Sequence, residues 1–537
     1  MTALAPAPAP ESVPTTSSGQ PYRWMLVHAA VVGVVFALPG AFVALRTLQL
    51  GDELGSTLRG AMAPLGRTVL LAVTVSATAA VVGTALAWLL VRSDLPGRNA
   101  LRILVVLPLV LPSFVGAAAF LAALAPSGVL YGVLDLLGMD PPRLRGFWPS
   151  WFVLSLFTYP YVFLPVAARL LALSPALEES ARMLGRSGIE TFRDVTLPQL
   201  RPSIGAGGLL VFLYTVSEFG AVQLLGYDTL TRVIFASRLS DRATSFTASL
   251  VLVVLAIAVV ISNRFQRGHE APEGPVRVHA MQPVRLGRWR LLAFGFVAAV
   301  VGFGLFVPIA SLTTWAWRGI VDGRVGFDGL FEATVNTAGV GVVTAVVAVA
   351  TVLPLATLLV RYRSRASEIA SVAVVGGFAV PGLVIALSLV FWTLNAPLVG
   401  GLYQTLPLLI AAYVVHFGSQ ALGAAEDSVR AVPASLRESS RLLESSTLRR
   451  LTRIDFPLMR PSLVSGGGLV LLSTVKELPA TLLLAPTGFR TLATEVWGSY
   501  EDGFYAEVGV GGLLLVALSA ALTWLLVLRR SDVIRSN

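Results

Sequence analysis

Twelve apolar stretches dominate this sequence, at roughly 24–45, 68–91, 103–124, 149–172, 203–225, 244–262, 291–316, 334–360, 369–394, 402–424, 462–485 and 505–528. A helix of about 20 apolar residues crosses a hydrocarbon core of ~30 Å. Inside a bilayer every backbone polar group must be paired within the chain, which leaves helices and closed barrels as the spanning structures. The expected fold is therefore all-α and polytopic, with 12 transmembrane helices. Composition agrees: hydrophobic residues make up 55% of the 537 and charged residues 13%, more apolar side chain than soluble cores bury.

Between the spans the pattern changes. Residues 1–22 are rich in Ala, Pro, Ser and Thr and carry one charge, Glu11, so they read as a disordered tail. The first span has no basic flank of the secretory kind and reads as a retained helix. With both termini on the cytoplasmic side, most of the arginines fall in cytoplasmic loops, in line with the positive-inside rule. That placement accounts for the net charge of +10 by membrane topology, with membrane lipid as the surrounding partner and no nucleic acid.

The two sets of six spans repeat each other. Leu89-Leu90-Val91-Arg92 recurs as Leu358-Leu359-Val360-Arg361 and Pro112 as Pro381, both 269 residues later. Arg201-Pro202-Ser203 recurs as Arg460-Pro461-Ser462, Pro198 as Pro457 and Glu218 as Glu477, all at 259, and Gly226 and Thr229 recur as Gly488 and Thr491 at 262. Each half enters and leaves on one side, so these are parallel repeats. The expected division is a tail at 1–22, a first six-helix half at 23–263, a cytoplasmic linker at 264–290 with six arginines, and a second six-helix half at 291–537.

After the fourth span of each half comes a segment of about 30 residues, too polar to cross and too patterned to be disordered. The first reads Ser174-Pro175, then Glu179-Ser180-Ala181, three residues, Gly185, nine residues, and Val195-Thr196-Leu197-Pro198. Ser174 and Pro175 predict a helix start, and Gly185 its end. The second reads Glu438-Ser439-Ser440, three residues, Glu444, nine residues, and Ile454-Asp455-Phe456-Pro457. Ser435 and Glu438 have capping-box spacing.

This frame resembles the EAA motif of the permease subunits of ATP-binding-cassette importers: Glu-Ala-Ala, three residues, Gly, nine residues, Ile-x-Leu-Pro. Its appearance in both halves counts against an ordinary interfacial helix. Ser217-Glu218-Phe219-Gly220-Ala221, Lys476-Glu477-Leu478-Pro479-Ala480-Thr481 and Arg490 to Trp497 resemble fused permeases of the ferric-iron type. The resemblance implies the type I importer permease fold in the bacterial cytoplasmic (inner) membrane, multi-pass. It also implies an ATP-binding-cassette ATPase homodimer below and an extracytoplasmic substrate-binding protein above. Glu179, Ser180, Ala181, Gly185, Leu197, Pro198, Glu438, Ser439, Ser440, Glu444, Phe456 and Pro457 would then couple to the ATPase. Glu444 departs from the family's glycine and predicts unequal docking of the two halves. Ferric iron is the cargo the resemblance implies, with thiamine, phosphonate, sulfate or polyamines as alternatives on the same architecture.

Glu218 and Glu477 fall in the fifth span of each half, where a carboxylate is costly and usually functional. They read either as a carboxylate pair on a translocation path or as structural groups bonded to neighbouring helices. Pro112, Pro381, Pro202 and Pro461 read as static kinks, and His28 and His416 as hydrogen-bonded packing residues. The clusters Gly205-Ala206-Gly207-Gly208 and Gly466-Gly467-Gly468 read as close helix contacts.

With no cysteine and four histidines, the sequence has no thiolate chemistry and no Cys/His metal site; no cofactor is expected. A P-loop needs Gly-Lys-[Ser/Thr], and the single lysine, Lys476, stands between Val475 and Glu477. The chain is therefore not expected to be an enzyme. A secondary carrier also reaches twelve spans through parallel repeats, and Asp94-Leu-Pro-Gly97-Arg98 partly resembles a carrier loop motif. That reading leaves both EAA-like segments unexplained.

Overall fold

The structure is a computed structural model and describes residues 22–126, 128–267, 284–362, 364–397, 399–443 and 447–525. The first half comprises α1 (Arg23–Leu48), α2 (Leu54–Arg92), α3 (Arg98–Leu104), α4 (Ser113–Leu124), α5 (Val129–Leu136), α6 (Phe147–Thr158), α7 (Pro160–Ala172), α8 (Pro175–Met183), α9 (Gly188–Thr191), α10 (Leu197–Ser217), α11 (Gly220–Leu224), α12 (Leu230–Ser237) and α13 (Arg242–Arg267). The second comprises α14 (Arg290–Val301), α15 (Val307–Val321), α16 (Phe327–Arg361), α17 (Arg365–Ala379), α18 (Gly382–Asn395), α19 (Leu406–Arg430), α20 (Ala434–Leu443), α21 (Thr447–Arg450), α22 (Phe456–Val475), α23 (Pro479–Leu484), α24 (Leu492–Glu501) and α25 (Tyr505–Thr523). No strand occurs among the described residues; a lone bridge joins Ser93 to Val284.

Among the described residues, eleven helices are long and apolar enough to cross a membrane, and twelve if α17 and α18, bent by 108°, form one span. The third apolar run of each half is thus broken, not straight. Pro112 and Pro381 stand just before α4 and α18, because proline suits a helix start but has no N–H to continue one. The fifth runs break too: α10 stops at Ser217 and α22 at Val475, and a short helix follows each. Glu218 and Glu477 lie in those breaks, not within a continuous helix.

The first helix of each half packs on the other half. Residues Ala29, Val32 and Phe36 of α1 belong to the hydrophobic core built mainly by the second half. Val297, Val301 and Leu305 belong to the core of the first. His28 Nε2 hydrogen-bonds the Thr351 carbonyl at 2.8 Å, which fixes α1 to α16 and gives His28 the packing role expected of it. The helix α15 crosses to α4 in return.

Glycine sets how closely the helices approach. A Cβ on Gly207 would lie 2.7 Å from the Tyr161 carbonyl oxygen, and one on Gly466 2.5 Å from the Ala424 Cβ. Gly205 and Gly208 have nothing within 4 Å, so one residue of the first cluster makes the contact. The tail at 1–21 and residues 268–283 of the linker lie outside the described residues; α13 extends to Arg267, past the expected linker boundary.

Candidate functional site

The helix α8 forms where the sequence placed it. The Ser174 hydroxyl accepts from the Ala176 N–H at 3.4 Å. Gly185 ends the helix in the left-handed region at φ +83, while the Arg186 N–H reaches the Ala181 carbonyl at 3.2 Å. This closure satisfies carbonyls the last turn leaves open. Leu197 and Pro198 begin α10, and Phe456 and Pro457 begin α22. Ser187 and Glu190 form a reciprocal cap, and the Ser187 N–H holds the Glu190 carboxyl below its usual range. The second segment differs: α20 begins at Ala434, so Ser435 sits inside the first turn and does not cap it. Glu444 lies outside the described residues.

Glu179, Ser180, Glu438 and Ser439 are exposed, whereas Ala181 and Ser440 are buried. Sequence reasoning passed over Glu178. Its carboxylate stands 3.3 Å from an Arg92 guanidinium nitrogen that is nearly inaccessible, and it accepts the Thr196 hydroxyl at 2.9 Å. One side chain thus ties α8 to α2 and to the entrance of α10. Two further pairs were missed: Leu177 with Leu436 and Met183 with Leu442 recur at 259 and are all exposed. Their recurrence was the available signal.

The Asp94 loop has a concrete role. The Val284 N–H donates to the Arg92 carbonyl at 2.7 Å, the Asp94 N–H to the Val284 carbonyl at 3.1 Å, and the Leu286 N–H to Asp94 Oδ1 at 3.0 Å. The end of the linker is pinned beside the residue that holds Glu178. Asp94→Ala is expected to expose the linker to protease severalfold faster while the spans stay intact, read as limited-proteolysis rates. Equal rates would show that the carboxylate does not hold the linker.

A cavity of about 220 Å³ opens between the halves. Its walls come from equivalent positions: Tyr161 with Gln420, Tyr214 with Ser473, Ser217 with Lys476, Glu218 with Glu477 and Ser113 with Gly382. Glu218 Oε2 accepts the Ser113 hydroxyl at 2.8 Å and Oε1 the Ala221 N–H at 2.8 Å. The Tyr214 hydroxyl also bonds this carboxylate. Glu477 Oε1 accepts the Ala480 N–H at 3.1 Å. Both carboxylates therefore satisfy backbone donors at the start of a short helix, which water would do outside the membrane. Lys476 reaches across the seam and donates to the Leu109 carbonyl at 3.2 Å. A larger groove of about 890 Å³ lies away from the seam, walled by α2, α8, α10 and Val284.

Residues 79–270 and 341–531 each match the family described as binding-protein-dependent transport system inner membrane component. The chain belongs to this family. It is a multi-pass inner-membrane permease, a transport component of a system that also needs an ATPase and a substrate-binding protein. The permease is 31% identical to the "Fe(3+)-transport system permease protein FbpB 2" of Haemophilus influenzae over 94% of this chain and 98% of that one. It is 24% identical to the ferric transport system permease protein FbpB of Actinobacillus pleuropneumoniae, over 78% of this chain and 64% of the relative. The sulfate transport system permease protein CysT of Salmonella typhimurium matches at 32% over 36% of the permease and 71% of its own length.

Proposed function

We propose that this permease carries ferric iron inward through the cavity between its halves, powered by an ATPase homodimer docked beneath α8 and α20. The cavity carries the reading: paired positions from both repeats converge on it, and it holds two carboxylates against one ammonium, a balance that favours a cation. Similarity to a ferric-iron permease along nearly the whole chain supports the same cargo. The sulfate relative covers about a third of the chain. With both termini cytoplasmic, α8 and α20 lie on the ATPase side. Exposed Leu177, Met183, Leu436 and Leu442 supply the apolar contacts such an interface buries.

Glu179, Ser180, Glu438 and Ser439 rim that surface, while Ala181, Gly185, Leu197, Pro198, Ser440, Phe456 and Pro457 shape it. The division 23–263, 264–290 and 291–537 is the working boundary of the halves. Rocking of one repeat against the other would pass motion of the coupling helices to the cavity walls. ATP is hydrolysed by the partner.

Two coupling segments on one chain set the stoichiometry. The purified chain is expected to show no ATP hydrolysis, and co-expression with the ATPase should give two ATPase copies per permease, read by native mass. A stable one-to-one complex would refute the paired docking.

A further inference from the structure

We propose that the cavity is handed: Glu477 forms a half-site that touches the passing cation, whereas Glu218 is a brace for the first half's broken helix. This rests on the reading of a cationic cargo. The two carboxylates are equivalent in sequence but not in surroundings. Glu218 is tied by a serine hydroxyl, a tyrosine hydroxyl and a backbone N–H and is 7% exposed. Its hydrogen-bonding capacity is largely consumed, as expected of a carboxylate accepting at both oxygens.

Both hydroxyls are missing around Glu477. The position of Ser113 is Gly382 in the second half, and that of Tyr214 is Ser473. The Ser473 hydroxyl is turned to Gln420 Oε1 at 3.0 Å. Among the described residues, the Ala480 N–H is the one hydrogen bond to the Glu477 side chain. The carboxylate is half-buried and borders the cavity, so its second oxygen remains free for a ligand.

His416 stands at the same wall. A Cβ on Gly382 would meet Glu477 Oε1 at 2.6 Å and His416 Cδ2 at 3.4 Å, so carboxylate and imidazole both pack on a glycine with no side chain. The ring turns its Cδ2 edge to that glycine, and Nδ1, on the opposite edge, is buried without a partner, so His416 closes the wall and leaves the free carboxylate oxygen to meet the cation. No group of three or more metal-ligating side chains occurs among the described residues. A single carboxylate oxygen gives weak binding, which suits a site that must release its ion. Lys476 does not occupy Glu477, since its ammonium is engaged by Leu109 across the seam.

The test uses the complete complex in proteoliposomes: permease, ATPase and binding protein loaded with ferric iron. Glu477→Gln is expected to lower initial iron uptake at least about tenfold, which corresponds to about 1.4 kcal/mol, at the wild-type melting temperature and with normal ATPase assembly. Gly382→Ser sets a Cβ 2.6 Å from Glu477 Oε1 and so displaces that carboxylate from the cavity wall, and should lower uptake severalfold. Glu218→Gln should lower the melting temperature and recovery, with uptake per recovered complex reduced less than about threefold. Greater loss of uptake from Glu218→Gln than from Glu477→Gln, at unchanged melting temperature, would overturn the handed site. If the wild type takes up iron and the two Gln variants behave alike, the handed site falls alone. If the wild type takes up no iron, the cargo reading falls and the half-site with it.

Discussion

Glu178→Arg is expected to abolish recovery of the permease with its ATPase, and the swap Arg92→Glu with Glu178→Arg is expected to restore most of it. The substitution sets one guanidinium against another at a place where Arg92 has almost no access to solvent. Breaking one partner of a buried ion pair costs about 3–5 kcal/mol, and like charges there cost more. It also removes the acceptor for Thr196, so the turn entering α10 loses its tie to α8. The second half carries Arg437 at the equivalent position, so this acid–base pairing has no counterpart of the same residue types there. Recovery of the complex after detergent extraction is the readout. Normal recovery of the single variant, or failure of the swap to improve on it, would show that the pair does not brace α8.

The second large effect is expected at the seam of α15 and α25. A Cβ on Gly509 would lie 2.5 Å from the Ala316 nitrogen and 2.8 Å from the Leu312 carbonyl oxygen. Both are backbone atoms, so neither helix can yield by a rotamer change. Gly509→Leu is expected to leave almost no folded chain, because overpacking against fixed backbone costs about 3 kcal/mol or more. The damage would spread, since α15 also rests on α4 of the other half. Gly205→Leu serves as the control, at an open position where leucine suits a helix better than glycine. Melting followed by size exclusion separates the cases, and equal melting temperatures would mean the two helices do not pack at this distance.

Much of this was legible from spacing. The twelve runs, their duplication and the two polar segments after the fourth spans are patterns of residue type, and α8 begins and ends where Ser174 and Gly185 place it. The breaks before Pro112, Pro381, Glu218 and Glu477 were not legible as breaks, because the chain stays apolar through them and hydropathy carries no record of direction. The exchange of first helices was equally hidden. An apolar helix satisfies lipid and either half alike, so only packing detail such as Phe36 against Gly377 and Gly418 assigns it. In α8 the motif frame drew attention to Glu179, which faces out. Glu178 is three residues before buried Ala181 and so shares its face, a signal present in the sequence that the motif obscured.

The lysine that spans the seam has a practical consequence. It carries the one side-chain amine in the sequence, and the chain has no thiol to compete for an electrophile. An acylating reagent therefore has a single ε-amino address on the molecule, and while the ammonium is held by Leu109 that nitrogen has no lone pair to offer. Acylation of Lys476, followed by peptide mass, becomes a clock for how often the two halves part.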